Sequence, residues 1–516
     1  MIQRLEDIPA QQSIQFILDG RLISVSDIDP ATTVLQYLRE QLRRTGTKEG
    51  CAEGDCGACT VVIGELKDNR VRLRSVNACI QFLPMLHGKA LFTVESLKSS
   101  AASALHPVQQ SMVNCHGSQC GFCTAGFIMS LFALFKSSAN PDRQQINDAL
   151  SGNLCRCTGY RPIIDAALDM YQQSASGERS FISMPATTTV QLPDDDEQRL
   201  IEQLRALQTD KLLHLANRQK QFFSPVSISQ LSLLQQEFPD ATLVAGNTDV
   251  GLWVNKQLRE LSAVIYLGNI RALHLIKQDA MKINVGAAVA LTDAFEALVK
   301  FYPSLTDLFR RFASMPVRNA GTLVGNIANG SPIGDSMPVL IALQSELILN
   351  KAGSQRTLAM EEFYQGYQQK DLQAGEFVES VNIPLNENNY KVASYKVSKR
   401  YDQDISAVCG AFVLGLDEGG QVVHIRIAFG GMAAIPARAT QTEQMLLHKQ
   451  WNQQTVEEAM SMLGRDFSPL SDMRASAAYR LKVAENLMLR FYLETTVSPT
   501  QDSSPVQLYG LSEVTA

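Results

Sequence analysis

The sequence has little that would place the protein in a membrane or on a nucleic acid. Its longest apolar run, residues 124–135 (TAGFIMSLFALF), is too short to span a bilayer and is typical of a buried helix. The formal net charge of −6 offers no basic surface to a nucleic acid or an anionic membrane. The first residues, MIQRLED, carry no apolar signal segment. We therefore expect a soluble protein of the reducing cytoplasm.

A Rossmann dinucleotide fingerprint is also missing, although glycine-containing turns are present. Two such turns, at residues 246–249 and 321–326, could offer backbone N–H groups and hydroxyls to a pyrophosphate. Neither has the G-x-G-x-x-G spacing, so a Rossmann site is not supported. A Gly-Asn turn is usually only a turn, and these two patterns alone leave ligand binding open.

Cysteine is what the sequence does have, in an ordered pattern. Eight of its ten cysteines form two sets of four. The first set has the C-x4-C-x2-C…C spacing of a plant-type [2Fe–2S] ferredoxin. Glycines at positions 50, 54 and 57 suit a loop that wraps closely round a cluster. The predicted ligands of this set are Cys51, Cys56, Cys59 and Cys79.

The second set is less specific on its own, because C-x2-C and C-x-C units fit several metals. Its place directly after a ferredoxin-like segment favours a second cluster, with its cysteines at helix ends, where the helix dipole favours thiolate charge. The remaining Cys115 and Cys409 are interpreted as packed thiols. The predicted ligands of the second set are Cys120, Cys123, Cys155 and Cys157.

Two other uses of the cysteines compete with iron–sulfur clusters. Disulfides would suit a secreted chain, which the first residues do not indicate. Zinc is the stronger alternative, since paired C-x2-C units often hold zinc, and it would make the protein a colourless binding module. The C-x4-C-x2-C spacing of the first set is unusual for zinc.

Length and hydrophobic patterning predict a multidomain α+β fold. Asp19-Gly20 is a hairpin signal, and a helix over Ala31–Leu42 and further strands complete a β-grasp. A linker is expected to include a surface helix over Glu197–Leu215. The predicted segments are a ferredoxin-like domain (12–98), an all-α domain (99–174), the linker (175–220), an α+β domain (221–388), a C-terminal α+β domain (389–496) and a flexible tail (497–516).

The motifs around the cysteines resemble those of the molybdenum hydroxylases, and of the xanthine dehydrogenase branch of that family in particular. The resemblance rests on EGDCGACT at 53–60, QCGFCT at 119–124 and GNLCRCTGYRP at 152–162. The later half adds VAGNTD at 244–249, NAGTLVGNI at 319–327 and SPIGD at 331–335. It is this resemblance that implies FAD, in a binding domain of the vanillyl-alcohol-oxidase (PCMH) type followed by a carbon monoxide dehydrogenase flavoprotein-like C-terminal domain.

The resemblance also implies which residues serve which cofactor. The cysteine sets would hold two [2Fe–2S] clusters, the second nearer to molybdenum, and Gln119 would reach the pterin. Phe312 would lie beside the flavin ring, although both it and Val378 could be core residues, and Lys396 could be a solvated strand lysine. The FAD contacts carried over are Leu243, Val244, Ala245, Gly246, Asn247, Thr248, Asp249, Val250, Phe312, Thr322, Asn326, Asp335, Val378 and Lys396.

The function implied is that of an electron-transfer subunit in purine catabolism, with no residue of this chain catalysing the hydroxylation. Electrons from a molybdopterin on a separate large subunit would reach FAD and then NAD⁺ as hypoxanthine or xanthine becomes urate, and two such heterodimers would pair. The alternatives are the same architecture acting on aldehydes or other N-heterocycles, and a stand-alone iron–sulfur flavin diaphorase.

Two positions depart from the family pattern. Ala125 stands where the family often has proline, a mild change at a helix start. The loop 398–404, SKRYDQD, differs in detail from the acidic loop that governs access of NAD to the flavin.

Overall fold

The computed structural model describes residues 8–98, 105–173, 181–186, 193–385 and 390–496. Among these residues, no helix combines the length and apolar character needed to cross a membrane. The predicted tail at 497–516 lies outside the described residues, as do parts of the predicted linker. The segment boundaries given above stay predictions.

The N-terminal part folds as a β-grasp. Its elements are β1 (Ala10–Gln11), β2 (Ile14–Leu18), β3 (Arg21–Val25), α1 (Val34–Gln36), β4 (Thr60–Lys67), β5 (Arg70–Asn77) and β6 (Ala90–Phe92). Five of the strands form a sheet of order β3-β2-β6-β4-β5. The hairpin is confirmed, since Asp19 and Gly20 have the positive φ values, 52° and 69°, that a two-residue turn between twisted strands requires. Thr33 caps α1, which continues as a π-helix over Tyr37–Gln41.

The second part is all-helical, as predicted. Ten of the fourteen residues of its central helix are buried, so the apolar run at 124–135 is the core of this domain. The central helix also contacts β4 and β5, which joins the first two domains into one packed body. The helices are α2 (Pro107–Asn114), α3 (Thr124–Ser137), α4 (Arg143–Leu150) and α5 (Arg161–Gln173).

The helix predicted over Glu197–Leu215 differs in its extent and in its surroundings. Helix α6 (Asp195–Leu207) ends at Leu207, and it buries Leu200, Ile201 and Leu204 against the helical-domain core. The following leucines instead form strand β7 (Leu212–Asn217), which pairs antiparallel with β8 (Lys220–Ser224). Tertiary pairing overrides helical spacing here, because Leu212, Leu213 and Leu215 are all buried by neighbouring sheet and helices.

The third part contains eight short helices and two five-stranded sheets, one of which includes β1. Its further elements are α7 (Ile228–Glu237), β9 (Thr242–Val244), α8 (Val250–Asn255), β10 (Ala263–Tyr266), β11 (Ile276–Gln278), β12 (Lys282–Gly286), α9 (Leu291–Leu298), α10 (Thr306–Arg311), α11 (Met315–Ala320), α12 (Leu323–Asn329), α13 (Ser336–Ala342), β13 (Glu346–Lys351), β14 (Ser354–Ala359), α14 (Met360–Phe363), β15 (Tyr364–Gly366), β16 (Gln369–Lys370) and β17 (Phe377–Pro384). The sheet orders are β1-β7-β8-β10-β9 and β11-β12-β17-β13-β14. Although β1 begins the N-terminal part, it lies outside the β-grasp sheet and pairs parallel with β7.

The C-terminal part is an antiparallel sheet covered by helices, which confirms the predicted α+β domain. Phe412 of the sheet stacks on Phe491 of the last helix at 5.1 Å between ring centroids. The elements are β18 (Lys391–Val397), β19 (Val408–Leu416), β20 (Val422–Gly430), β21 (Ala437–Arg438), α15 (Thr440–Leu446), α16 (Gln453–Met460), α17 (Leu463–Asp466) and α18 (Ala477–Thr496).

Candidate iron–sulfur and flavin sites

The loop between the π-helix and β4 aims its backbone N–H groups at one sulfur. Ala52, Gly54 and Gly57 have φ values of 55°, 79° and 70°, which fold the loop back on itself. As a result, the amides of Glu53, Asp55 and Cys56 lie 3.3–3.4 Å from Cys51 Sγ. A thiolate that accepts several N–H bonds is stabilised in its charged form, the form that ligates iron.

The four thiols of the first set meet in pairs. Cys51 interacts with Cys56, and the buried Cys59 interacts with Cys79. Cys51 also interacts with Cys79, and hydrogen bonds from Cys56 and Cys79 hold the pKa of Cys51 well below its usual range. The four sulfurs therefore neighbour one another in the order Cys56, Cys51, Cys79 and Cys59, and four thiolates grouped in this way are the ligand set of a [2Fe–2S] cluster.

The second set is paired in the same way but lies at the surface. Cys120 interacts with Cys157, and Cys123 interacts with Cys155. Cys120 and Cys157 are exposed, whereas the other two are half-buried. Cys123 is the N-cap of α3, and burial is the main cause that raises the pKa of its thiol to about 12. Tyr160 supports the loop, since its hydroxyl accepts the Cys155 amide at 2.9 Å.

The two sets lie next to each other. The amide of Leu154, beside Cys155, donates to the carbonyl of Cys56 at 3.0 Å. Asn153 donates through Nδ2 to the carbonyl of Gly57, also at 3.0 Å. A Cβ on Gly126 would lie only 2.1 Å from the Gly57 oxygen, so α3 can approach the first loop this closely only without a side chain there. The ligand loops of both sets therefore form one packed unit.

The cysteines outside the pattern are packed differently. Cys409 is buried in β19, as predicted, whereas Cys115 is only half-buried against the helical-domain core.

All fourteen residues predicted to contact FAD line one cavity of about 620 Å³. Protein cavities that hold organic cofactors usually measure roughly 300–1,000 Å³. The cavity lies between the turn after β9 and the segment from Phe312 to Asn326. These segments touch at Gly246, where a Cβ would lie 2.2 Å from the carbonyl oxygen of Ala320. The sequence thus brings two distant glycine turns into one site.

The polar side chains that line the cavity differ in whether the chain itself supplies their hydrogen-bond partners. Asn247 is buried with a left-handed φ of 62°, and its Oδ1 has no hydrogen-bond partner among the described residues. Lys396 is not a solvated strand lysine, because its ammonium is buried and donates to Asp335 at 2.5 Å and to Ser406 at 3.0 Å. Phe312 and Val378 belong to the hydrophobic core and line the cavity as well.

Several lining residues were not identified from the sequence. Trp253 and Lys370 line the cavity, and Gln403 and Ile405 bring the loop after β18 to it. Burial raises the pKa of Asp249 and lowers the pKa of Lys370, its oppositely charged neighbour. Trp253 stands four residues after Asp249 on α8, which is the spacing of one helix face and the only sequence signal for it.

The cavity abuts the first cysteine set. Asn247 donates through Nδ2 to the carbonyl of Ile80, next to Cys79, at 2.7 Å. Gln81 donates through Nε2 to the carbonyl of Gly246 at 3.1 Å. The three sites therefore follow one another in space, from the exposed cysteines through the first set to the cavity. This fold, with two sets of neighbouring thiols and a largely apolar cavity bordered by two glycine turns, fits an iron–sulfur flavoprotein.

Four family models match successive parts of the chain. They are a 2Fe-2S iron–sulfur cluster binding domain (16–83), a [2Fe-2S] binding domain (93–168), a FAD binding domain in molybdopterin dehydrogenase (217–386) and a CO dehydrogenase flavoprotein C-terminal domain (393–495). The chain thus has two [2Fe–2S] domains and a FAD-binding domain, and it belongs to the molybdenum hydroxylase family.

Similar proteins include xanthine dehydrogenases and an aldehyde oxidase. A xanthine dehydrogenase of Emericella nidulans is 32% identical, with 93% of this chain and 38% of that protein covered. Xanthine dehydrogenase 1 of Arabidopsis thaliana is 31% identical, with 94% and 40% covered. Aldehyde oxidase 2 of Cavia porcellus is 30% identical, with 94% and 40% covered. The chain spans about two fifths of the length of these relatives.

Among solved structures, about half of the chain is similar to a chain of carbon monoxide dehydrogenase from Hydrogenophaga pseudoflava. The TM-score is 0.50 at 25% identity, over 54% of this chain and 96% of that one.

Proposed function

We propose that this chain is the electron-transfer subunit of a xanthine dehydrogenase. It would take electrons from a molybdopterin site on a separate large subunit and pass them through two [2Fe–2S] clusters to FAD and then to NAD⁺. The overall reaction would oxidise hypoxanthine and xanthine to urate. The observation that carries this proposal is the spatial order of the three sites, with hydrogen bonds joining each site to the next.

The cysteines and the cavity residues would bind different cofactors. Each paired cysteine set would ligate one cluster, and the fourteen cavity residues would hold FAD. When bound, clusters exchange single electrons and the flavin exchanges them singly or in pairs, which is chemistry that belongs to the cofactors. The chain supplies the spacing, the exclusion of water from buried Cys59 and Cys79, and the hydrogen bonds that set the potentials.

The exposed cysteine set would face the molybdenum subunit. Cys120, Cys157 and Gln119 are exposed, and Phe122 and Leu154 beside them are 49% and 42% exposed. Apolar side chains around an exposed redox site are expected to be covered by a partner. This supports a large molybdopterin-binding partner, with two heterodimers pairing as the family resemblance implies.

The other end of the route would face NAD⁺. Arg311 anchors the loop after β18, donating to the carbonyls of Lys396 at 2.9 Å and of Tyr401 at 3.3 Å. Its guanidinium also lies over the Tyr401 ring. The loop places Gln403 at the cavity, where an acceptor would reach the flavin.

A second candidate function is electron transfer in an enzyme that oxidises aldehydes. It is favoured by the similarity to aldehyde oxidase 2 of Cavia porcellus, which covers 94% of this chain, the same share as xanthine dehydrogenase 1 of Arabidopsis thaliana. Substrate choice would lie on the partner, so the reconstituted complex should be assayed on xanthine and on aldehydes, with NAD⁺ and with oxygen. Turnover of xanthine with NAD⁺ supports the first candidate, whereas turnover of aldehydes alone supports the second.

The chain by itself tests the underlying assignment. Iron, sulfide, zinc and flavin should be measured together with the visible and EPR spectra. About four irons and one FAD per chain, with two distinct reduced-cluster signals, are expected. Zinc without sulfide would refute the cluster assignment. Failure of a molybdenum-containing chain to co-purify from the native source would favour a stand-alone diaphorase.

A further inference from the structure

One side chain of the flavin domain forms hydrogen bonds with both chain segments that carry the first set of cysteines. Asn255, the last residue of α8, donates through Nδ2 to the carbonyl of Cys79 at 2.5 Å and to the carbonyl of Ala52 at 3.4 Å. Ala52 follows Cys51 in the ligand loop, and Cys79 comes from beyond β5. Cys51 and Cys79 also interact with each other through their thiols. A single amide group thus bridges the two segments that carry these ligands.

The bond to Ala52 has a direct consequence for the sulfur of Cys51. In a planar trans peptide, the carbonyl of one residue and the N–H of the next point in opposite directions. The Ala52–Glu53 peptide therefore has its carbonyl held by Asn255, while its N–H points to Cys51 Sγ at 3.4 Å. Ala52 adopts a left-handed φ of 55°, which side-chain-bearing residues rarely adopt and which needs external support.

We propose that Asn255 is a positioning residue that sets the reduction potential of the first cluster by orienting the Ala52–Glu53 peptide toward Cys51. The inference deepens the proposed electron-transfer function and rests on it for its biological role. An N–H···S bond stabilises the more negative, reduced state of a cluster and so raises its potential. Loss of the Asn255 donor should therefore make the first cluster harder to reduce.

The test compares two near-isosteric changes at Asn255 with a control elsewhere on the same domain interface. Asn255→Leu removes the donor, and Asn255→Asp replaces it with an oxygen that repels both carbonyls. Asp293→Asn weakens the ion pairs with Arg72 and Arg74, which hold the same two domains together away from the cysteines. Asn255 is half-buried at the end of its helix, a position where substitution leaves the core intact.

The readout is an EPR-monitored redox titration of the full chain, with iron, sulfide and flavin measured for each variant. In both Asn255 variants, the equilibrium constant for one-electron reduction of the first cluster should fall by up to tenfold, which corresponds to a reduction potential lower by up to 59 mV. The reduction potential of the second cluster should not change. Asp293→Asn should move neither cluster. An unchanged potential in both Asn255 variants would overturn the inference, as would an equal shift in Asp293→Asn, which would indicate domain docking alone.

Two further outcomes separate this inference from the proposed function. If the unmodified chain holds no iron and sulfide, the proposed function itself fails. If Asn255→Leu does not assemble the first cluster, the hyperfine-shifted NMR signals of the Cys51 protons in Asn255→Asp decide the matter, since the inference requires them to move and a purely structural role does not.

Discussion

Gly246→Ala should weaken FAD binding while leaving both clusters in place. The added Cβ would lie 2.2 Å from the carbonyl oxygen of Ala320 and 2.6 Å from Cα of Gly321. Both atoms belong to the backbone, so no side-chain rotation can relieve the clash, and the two cavity segments must separate. Overpacking of this kind costs about 1–3 kcal/mol, which corresponds to about 5- to 150-fold weaker FAD binding if the binding geometry bears the cost.

The assay is a titration of the flavin-free chain with FAD, followed by quenching of flavin fluorescence. Gly464→Ala is the matched control, because no atom lies within 4 Å of a Cβ built at that position. Iron and sulfide contents should equal those of the unmodified chain in both variants. If Gly246→Ala binds FAD as tightly as Gly464→Ala does, the cavity between the two turns is not the flavin site.

Three further predictions concern single side chains. Cys56→Ala should abolish the EPR signal of the first cluster, whereas Cys115→Ala should leave both signals intact; loss of a cluster in both variants would contradict the assignment. Lys396→Met should lower the midpoint of thermal unfolding, because breaking the buried ion pair with Asp335 costs about 3–5 kcal/mol. Adding Asp335→Asn to this variant should recover most of the lost stability. If the double variant is no more stable than Lys396→Met, the two side chains do not form a stabilising pair. Burial lowers the pKa of His106 to about 4, below its unfolded value of about 6.5, so stability is full above pH 6.5 and falls as the pH drops toward 4. Melting temperatures measured across that range should fall less steeply in His106→Gln.

The features predicted well from the sequence are those encoded over short stretches. The hairpin at Asp19-Gly20 and the buried helix α3 each depend on a few consecutive residues. Their turn chemistry and apolar spacing are local, and so they can be read directly. The cysteine spacing predicted which thiols would group, and the structure brings each set of four together in pairs.

The features that sequence patterns did not predict depend on distant segments. The leucines of β7 have a spacing compatible with a helix, but β8 and β1 offer them strand partners. Lys396 has the pattern of an exposed strand lysine, yet Asp335, sixty-one residues earlier, neutralises it in the interior. The hydrogen bonds from Asn255 to the cysteine segments also depend on distant residues, because no local pattern distinguishes Asn255 from any other asparagine at a helix end.

The pairing of β1 with β7 makes the iron–sulfur part an insertion within the flavin domain. Ala10 pairs with Leu212 and Gln11 with Leu213, so two neighbouring strands of one sheet enclose some 200 residues between them. A gene divided between the two parts would leave the flavin product with β7 as an uncovered sheet edge, which is prone to aggregate. The N-terminal product would in turn carry an orphan strand. The pairing of β1 with β7 therefore favours keeping both kinds of cofactor on one polypeptide. It also limits movement of the iron–sulfur domains relative to the flavin domain.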